Sequence, residues 1–595
     1  STQPDYSSFL VAGRPKTGQS LDEVRDLLLE EVAKLREGDF DEKLIEATIN
    51  NYKMQLMRSF EENDSRAILY VYSFISGADW ADEVARIDRM SKITKQDVVE
   101  WANKYLGPES YAIIYKREGK DPDEQKIAAP KITPIVTNRD SQSEFLSEIQ
   151  TSQVQPIEPV FVDYKKDMSQ FEAQPGIDVL YKKNETNDIF TLIYVFNTGT
   201  ENDPALNLAF NYLSYLGTDK MTAEEIASEM YDIACSFYMN AGANQSSIQI
   251  TGLSENMGKA MEIVEGLIAG AKPDEAILEN LKGDMLKSRA DAKLNQSRCF
   301  GALQRYLFYG GDFIRRTTLT DPALQALTSE QLLAKIGGLM GKQHEVLYYG
   351  PQKETEIKSA LAEHHKVAAD LQPLEKKFSA LLPTDANKVV LAQYDAKQLY
   401  YLQFSNRGEK FDVAADPEIT LYNEYFGGGM NTIVFQEMRE ARGLAYSAWA
   451  TLATPSNANG DYSYYAFIAT QNDKMQKAVE AFDDIINNMP ESEKAFGIAK
   501  EALVSRLRTE RTVKDGVLWS YLRARDLGLD APRDKQIFEK VQSMTLDDVK
   551  AAQQKWVKGR KYVYGILGDI QDLDLNYLKT LGPIQTVSQE EIFGY

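Results

Sequence analysis

The sequence predicts an α+β protein made of repeats of one two-layer unit, a mainly antiparallel sheet covered by helices, in two complete copies and one partial. Three observations predict it. A capped helix recurs at Thr94, Thr328 and Thr545, at intervals of 234 and 217 residues. Each of these helices leads into a tyrosine-bearing strand. Each is preceded by the same run of elements, a strand and then two helices.

The caps are the clearest element. Thr94, Thr328 and Thr545 are each followed three residues on by Asp97, Gln331 or Asp548. The hydroxyl accepts from the backbone N–H of the third helical residue while that residue's side chain reaches back, so two orphan donors are satisfied together. The strands behind them are residues 111–115, 346–349 and 562–567. Upstream, strands at 9–12, 248–251 and 464–469 precede helices starting at Leu21, Met257 and Met475, with second helices from Glu42, Glu275 and Ser492.

The second copy opens with two further strands, 179–182 and 190–196, and the third with 389–393 and 399–404. The first copy has no such front half, so the sequence is expected to be the C-terminal part of a longer protein, cut inside a domain. Residues 118–158 are charged, polar and proline-dotted, and 366–388 carry Pro373 and Pro383. The expected organisation is 1–118 as the back half of a unit, 119–158 as a linker, and 159–372 and 373–595 as complete units.

A chain of 595 residues exceeds what one core sustains, and 43% apolar with 26% charged residues is ordinary for a folded protein. The net charge of −22 argues against nucleic acid or an anionic membrane as partner, since both call for basic surface. No apolar run is long enough to span a bilayer, and the first residues lack the basic-then-apolar pattern of a signal peptide. Two cysteines without a CxxC exclude a zinc ribbon; they read as small buried residues or one disulfide.

Three histidines limit the chemistry. His344 opens Gln-His-Glu-Val-Leu-Tyr348, where Tyr348 stands in place of a second zinc ligand, and on a strand positions i and i+4 do not converge. His364 and His365 read as the exposed end of a helix. No metal site is expected. The stretch from Phe426 to Tyr446 is more informative. Gly427-Gly428-Gly429 reads as a tight turn. It opens an amphipathic helix whose apolar stripe is Ile433, Val434, Met438 and Ala441 and which stops at Gly443. Arg439 lies on this helix and Tyr446 just past it. The strand 462–467 is either an edge that takes up an extended peptide or a buried interior strand.

The stretch Gly427-Gly-Gly-Met-Asn-Thr-Ile-Val-Phe-Gln-Glu-Met-Arg439-Glu-Ala-Arg-Gly-Leu-Ala-Tyr446 resembles the substrate-facing motif of the pitrilysin, or insulin-degrading-enzyme-like, zinc metallopeptidases. The repeat pattern extends that resemblance over essentially the whole chain. It implies a metallopeptidase-like (LuxS/processing-peptidase-type) fold and a chamber that takes unstructured peptides, hinged near residues 118–158. It also implies a zinc held elsewhere by His-x-x-Glu-His, which would polarise the scissile carbonyl and activate water.

In the second copy the inverted motif would fall on Leu208, Asn211 and Tyr212, so that unit resembles a zinc domain without its ligands, and this chain is expected to bind no catalytic zinc. The resemblance gives Arg439 and Tyr446 the role of holding the substrate carbonyl, with Gly427, Gly428 and Gly429 as substrate-binding. Lining up Glu437-Met-Arg with Glu229-Met-Tyr puts Tyr231 in the place of Arg439 and Tyr238 in that of Tyr446. The implied function is the substrate-binding portion of a zinc metalloendopeptidase in the cell envelope or periplasm, inactive alone. The alternative is a non-catalytic peptide-binding or assembly subunit.

Overall fold

The computed structural model describes residues 5–16, 18–109, 111–117, 119, 143–153 and 155–595. They divide into two compact units, Ser1–Ile157 and Glu158–Tyr595. The larger holds two six-stranded sheets. The first comprises β1 (Ser169–Gln174), β2 (Ile177–Lys183), β3 (Ile189–Phe196), β4 (Cys235–Ala241), β5 (Ser246–Leu253) and β6 (His344–Gly350), in the order β1-β2-β6-β3-β5-β4. The second comprises β7 (Lys388–Gln393), β8 (Gln398–Lys410), β9 (Ser447–Ala453), β10 (Asp461–Gln471), β11 (Val563–Gly568) and β12 (Ile584–Val587), in the order β12-β7-β11-β8-β10-β9. Five strands correspond one for one. β2 and β6 pair in parallel, as do β7 and β11, and the next three strands are antiparallel in both. The edge strand differs: β1 runs antiparallel to β2, whereas β12 runs parallel to β7.

Alternation along the strands sets the two faces. Val179, Tyr181, Leu192 and Tyr194 point to one side and pack with Phe210, Tyr212, Met261 and Val264 of the covering helices. Val389, Leu391, Leu399 and Tyr401 do the same beneath Ile419, Tyr422, Val479 and Phe482. The other faces are covered by exchange. Helix Gln296–Thr317, kinked at Gly310 (φ 83), lies on the second sheet, with Cys299, Leu303 and Leu307 against Val390, Leu402 and Leu567. Helix Gly516–Asp526 lies on the first, with Val517, Leu518 and Leu522 against Leu180, Ile193 and Leu347. Leu307 comes so close that a Cβ on Gly565 would stand 2.2 Å from it, which is why β11 has glycine there. Arg525 of the exchanged helix donates to Glu345 of β6 at 2.7 Å. Each fully buried leucine contributes about 1.5–3 kcal/mol, so the exchange joins the two halves through their cores.

All three predicted caps are present. Asp97 accepts from the Thr94 backbone N–H at 2.8 Å, Gln331 from Thr328 at 3.1 Å and Asp548 from Thr545 at 2.7 Å. The helix starts at Leu21, Met257 and Met475 also stand as read. Both cysteines are buried, and neither forms a disulfide.

Three expectations are corrected. Residues 9–12 and 111–115 form no strand: a strand needs a hydrogen-bonded neighbour, and apart from a single bridge residue, Ser7, the described residues of the first unit form helices, turns and irregular backbone. The strand 462–467 is part of β10, held between β8 and β9, and is an interior strand rather than an edge. His365 is not at an exposed helix end but fully buried. Its ring stacks on Tyr194 at 4.2 Å and its Nδ1 lies 2.6 Å from Glu265.

Candidate functional site

Helix Asp416–Tyr422 widens into a π-helical turn, Asn423–Gly427, and ends at the three glycines. Asn423 then closes the outer edge of β9, its amide donating to the Leu452 carbonyl and accepting from the Leu452 N–H, both at 2.9 Å. This draws the glycine turn onto β9. A Cβ at Gly427 would sit 3.0 Å from the Ala450 carbonyl, and one at Gly428 would sit 3.1 Å from Trp449 Cβ, whereas Gly429 has ordinary room. Close approach therefore favours glycine at the first two positions. The turn ends one helix before the next begins; Thr432 intervenes, its hydroxyl donating to the Gly429 carbonyl at 2.7 Å. Gly428, Gly429, Asn423, Thr432, Thr454 and Arg506 surround a shallow hollow of about 300 Å³.

The second helix starts at Ile433 and becomes π-helical over Gln436–Ala441. Ile433, Val434 and Met438 are buried as expected; Ala441 is exposed. The wider i→i+5 turn carries a residue three positions on past the buried face. Gly443 (φ 57) supplies the left-handed stop. Beyond it the chain is pinned to β10, with Thr470 donating to the Leu444 carbonyl at 2.5 Å and the Tyr446 N–H to the Ala469 carbonyl at 3.0 Å.

This places Arg439 and Tyr446 together. The Arg439 guanidinium lies 5.0 Å from the centre of the Phe435 ring and 5.4 Å from that of Tyr446, a cation–π sandwich that orients it. Tyr446 is 74% exposed. Among the described residues Arg439 makes no protein hydrogen bond; its nearest carboxylate is Glu440, at 3.7 Å. Arg442, one turn away, is by contrast held by Glu437 at 3.4 Å and Asp484 at 3.3 Å. A rigidly placed guanidinium with its donors open to solvent, next to an exposed phenol, suits a planar acceptor such as a peptide carbonyl.

The first sheet carries the same elements without the pair. Met230 and Met438 are both buried and are followed by Tyr231 and Arg439, so that correspondence stands. Downstream, the left-handed residues Ala234 (φ 48) and Gly443 mark the helix ends. Met230 and Ala234 are four apart; Met438 and Gly443 are five apart, the extra residue being the π insertion. The strand register then fixes the next correspondence: Ser236 lies opposite Thr251 on β5 as Ser447 lies opposite Ala469 on β10, and Thr251 and Ala469 each stand three residues before the turns at Ser254 and Asn472. The counterpart of Tyr446 is therefore Cys235, a buried core residue, and not Tyr238.

The positions where the inverted zinc motif would fall do not fit a metal. Leu208 is buried and apolar, and Asn211 is exposed. Tyr212 is fully buried, its hydroxyl donating to Ser329 at 2.7 Å and accepting from the Asp274 N–H at 2.7 Å. Among the described residues no cluster of three or more His, Cys, Asp or Glu could hold an ion. The histidines serve the core instead: His344 and His365 join Nε2 to Nε2 at 2.8 Å in a buried chain that ends on Glu265. Burial, with the neighbouring His365, lowers the His344 pKa to about 4. The sequence held no signal for this chain, because Glu265 lies 100 residues from His365.

Comparison with known proteins agrees with the resemblance. The family model "Peptidase M16 inactive domain" matches residues 344–503. An uncharacterized zinc protease of Streptomyces coelicolor is 23% identical over 266 residues, 42% of this chain and 56% of its own length. The chain thus spans little more than half of that relative. Among solved structures, the peptidase M16 inactive domain from Pseudomonas fluorescens aligns with TM-score 0.54 and 18% identity over 68% of this chain and 98% of that one. The periplasmic protease PqqL of Escherichia coli aligns with TM-score 0.54 and 13% identity over 92% of this chain and 63% of its own. Both share the α+β fold of two helix-covered sheets.

Proposed function

From this kinship with the insulinase-like zinc metallopeptidases, we propose that the chain is the substrate-holding portion of a zinc metalloendopeptidase acting on unstructured peptides. The observation that carries the proposal is the Arg439–Tyr446 pair, stacked, exposed and with its donors unspent. Arg439 and the Tyr446 hydroxyl donate to the substrate's backbone carbonyl next to the bond to be cut. Negative charge grows on that oxygen in the transition state, and each fixed donor is worth about 3–4 kcal/mol by the precedent of oxyanion holes. Gly427 packs the turn onto β9, and Gly428 and Gly429, exposed and without side chains, are the surface against which a peptide backbone would lie.

Zinc belongs to the whole protease and is held outside these 595 residues, since the positions that correspond to a zinc motif do not fit one. The part that holds it docks on the first unit. Helix Asn63–Ser76 is the sequence counterpart of the two exchanged helices, yet Ile68, Tyr70, Val71, Tyr72, Phe74 and Ile75 on it are exposed. Both sheets of the larger unit already have their outer faces covered, so this helix awaits a further sheet. We take 119–158 as linker and 159–372 and 373–595 as the paired units. The cell envelope is the proposed location, in line with the periplasmic relative.

Two measurements test this. The isolated chain should bind an unstructured fluorescent peptide and should not cleave it with or without added zinc. Zinc-dependent cleavage by the isolated chain would overturn the assignment of zinc to another part.

A further inference from the structure

A second feature borders the pair. Between the start of β8, the end of β10 and the start of β9 lies an open hollow of about 520 Å³, lined among others by Tyr446, Thr470, Gln398, Gln471, Lys397 and Lys474. Its lining includes two ammonium groups and no carboxylate, on a chain whose net charge is −22. Lys397 is 92% exposed and only 3.5 Å from Asp572, a pairing that solvent weakens. Lys474 is half-buried, and among the described residues no carboxylate lies within ion-pairing distance of it. Arg439 adds a third cation nearby, 5.4 Å from the centre of the Tyr446 ring.

We infer that this hollow is a subsite for a peptide carboxylate, with Lys474 as its principal and Lys397 as its auxiliary cation, and that it selects substrates with an acidic group beside the carbonyl held by Arg439 and Tyr446. The inference rests on the reading of that pair as substrate-holding. Tyr446 is shared by both sites, lining the hollow and lying against the Arg439 guanidinium. A carboxylate entering there meets Lys474, which among the described residues has no carboxylate within ion-pairing distance, whereas elsewhere the acidic surface repels it. Gln398, Gln471 and Thr470 offer neutral donors that help fix its orientation.

The test uses three fluorescent peptides of otherwise identical uncharged sequence and the 595-residue chain. One has a central Asp with both termini blocked, one has Asn there with both blocked, and one has Asn with a free C-terminal carboxylate. The Asp peptide should bind about fivefold tighter than blocked Asn, the size expected for partly exposed ion pairs. Lys474→Gln should bring the ratio close to one, Lys397→Gln should lower it less, and 0.5 M salt should shrink it. If the free-terminus peptide gains instead of the Asp peptide, the carboxylate recognised is the chain end. Equal binding of all three in the wild type, or a ratio that survives the double lysine variant, overturns the subsite. If Arg439→Ala still weakens all three equally, the substrate-holding reading stands without it. If no peptide binds, both fall.

Discussion

The two sheets of the larger unit differ far less in architecture than in chemistry. Both have the same five-strand core order and the same reciprocal covering helix. They part at two places. The second carries the π-helical turns Asn423–Gly427, Gln436–Ala441 and Gln553–Val557, whereas no π turn is found among the described residues of the first. Two of these flank the glycine turn and aim Arg439 and Tyr446, where the first sheet has Tyr231 and Cys235. The buried polar centres also differ. On corresponding helices, Glu265 meets His365 and His344, whereas Asp483 accepts from Gln403 at 2.9 Å. The comparison teaches that the hydrophobic scaffold is set by strand and helix pattern, and that single-residue insertions decide what the scaffold presents.

The shared scaffold is the first thing to break. Leu303→Ala and Leu518→Ala each remove a fully buried side chain from an exchanged helix, and each should cost about 2–5 kcal/mol. If the halves are joined through these faces, either variant lowers a single cooperative unfolding transition. Two separate transitions in the wild type would show that the sheets unfold independently.

The polar centres should respond to pH in opposite senses. The His344 pKa lies near 4, below the ordinary 6.5, because burial and then His365 disfavour its charged form. As pH falls from 6.5 to 4 the unfolded chain takes up a proton that the folded one refuses, so stability from this site is lost. Burial raises the Asp483 pKa from 3.8 to about 6, against a smaller lowering by Gln403. The folded chain then keeps a proton the unfolded one has released, so stability from this site is lost as pH rises from 3.8 to 6. Each slope integrates to ~1–3 kcal/mol. Denaturation midpoints between pH 4 and 7 should show Asp483→Asn removing the loss on the rising side and His344→Gln the loss on the falling side. Slopes unchanged by either variant would refute the assignment.

The repeated caps give the smallest effect. Thr328→Ala should cost about 1 kcal/mol in chemical denaturation, because two N-terminal helix groups lose their partners together. A change near zero would mean that Thr328 is incidental to the repeat.

Much of this scaffold was legible in the sequence. The caps at Thr94, Thr328 and Thr545 announced the repeat because capping chemistry is local. The strands 179–182, 190–196, 389–393 and 399–404 announced themselves by dense β-branched and aromatic runs. What pattern alone does not carry is the identity of a partner. Periodicity does not say that Leu303 and Leu518 each lie on the sheet of the other repeat. Nor does it reveal a π insertion or the longer approach to β9, which is why equal spacing points to Tyr238 as the counterpart of Tyr446 where the strand register points to Cys235. His365 looked exposed because its partners, Glu265 and Tyr194, are far along the chain. Residues 9–12 and 111–115 have strand-like composition, but a strand forms only where another strand meets it.

The central claim is that the second sheet alone holds substrate, through Arg439 and Tyr446. The direct measurement is the affinity of an unstructured fluorescent peptide for four variants of the chain: Arg439→Ala, Tyr446→Phe, Tyr231→Ala and Cys235→Ala. The account predicts a loss of at least tenfold for Arg439→Ala, a smaller loss for Tyr446→Phe, and unchanged binding for the two variants of the first sheet. Equal losses on both sheets, or unchanged binding in Arg439→Ala, would contradict it.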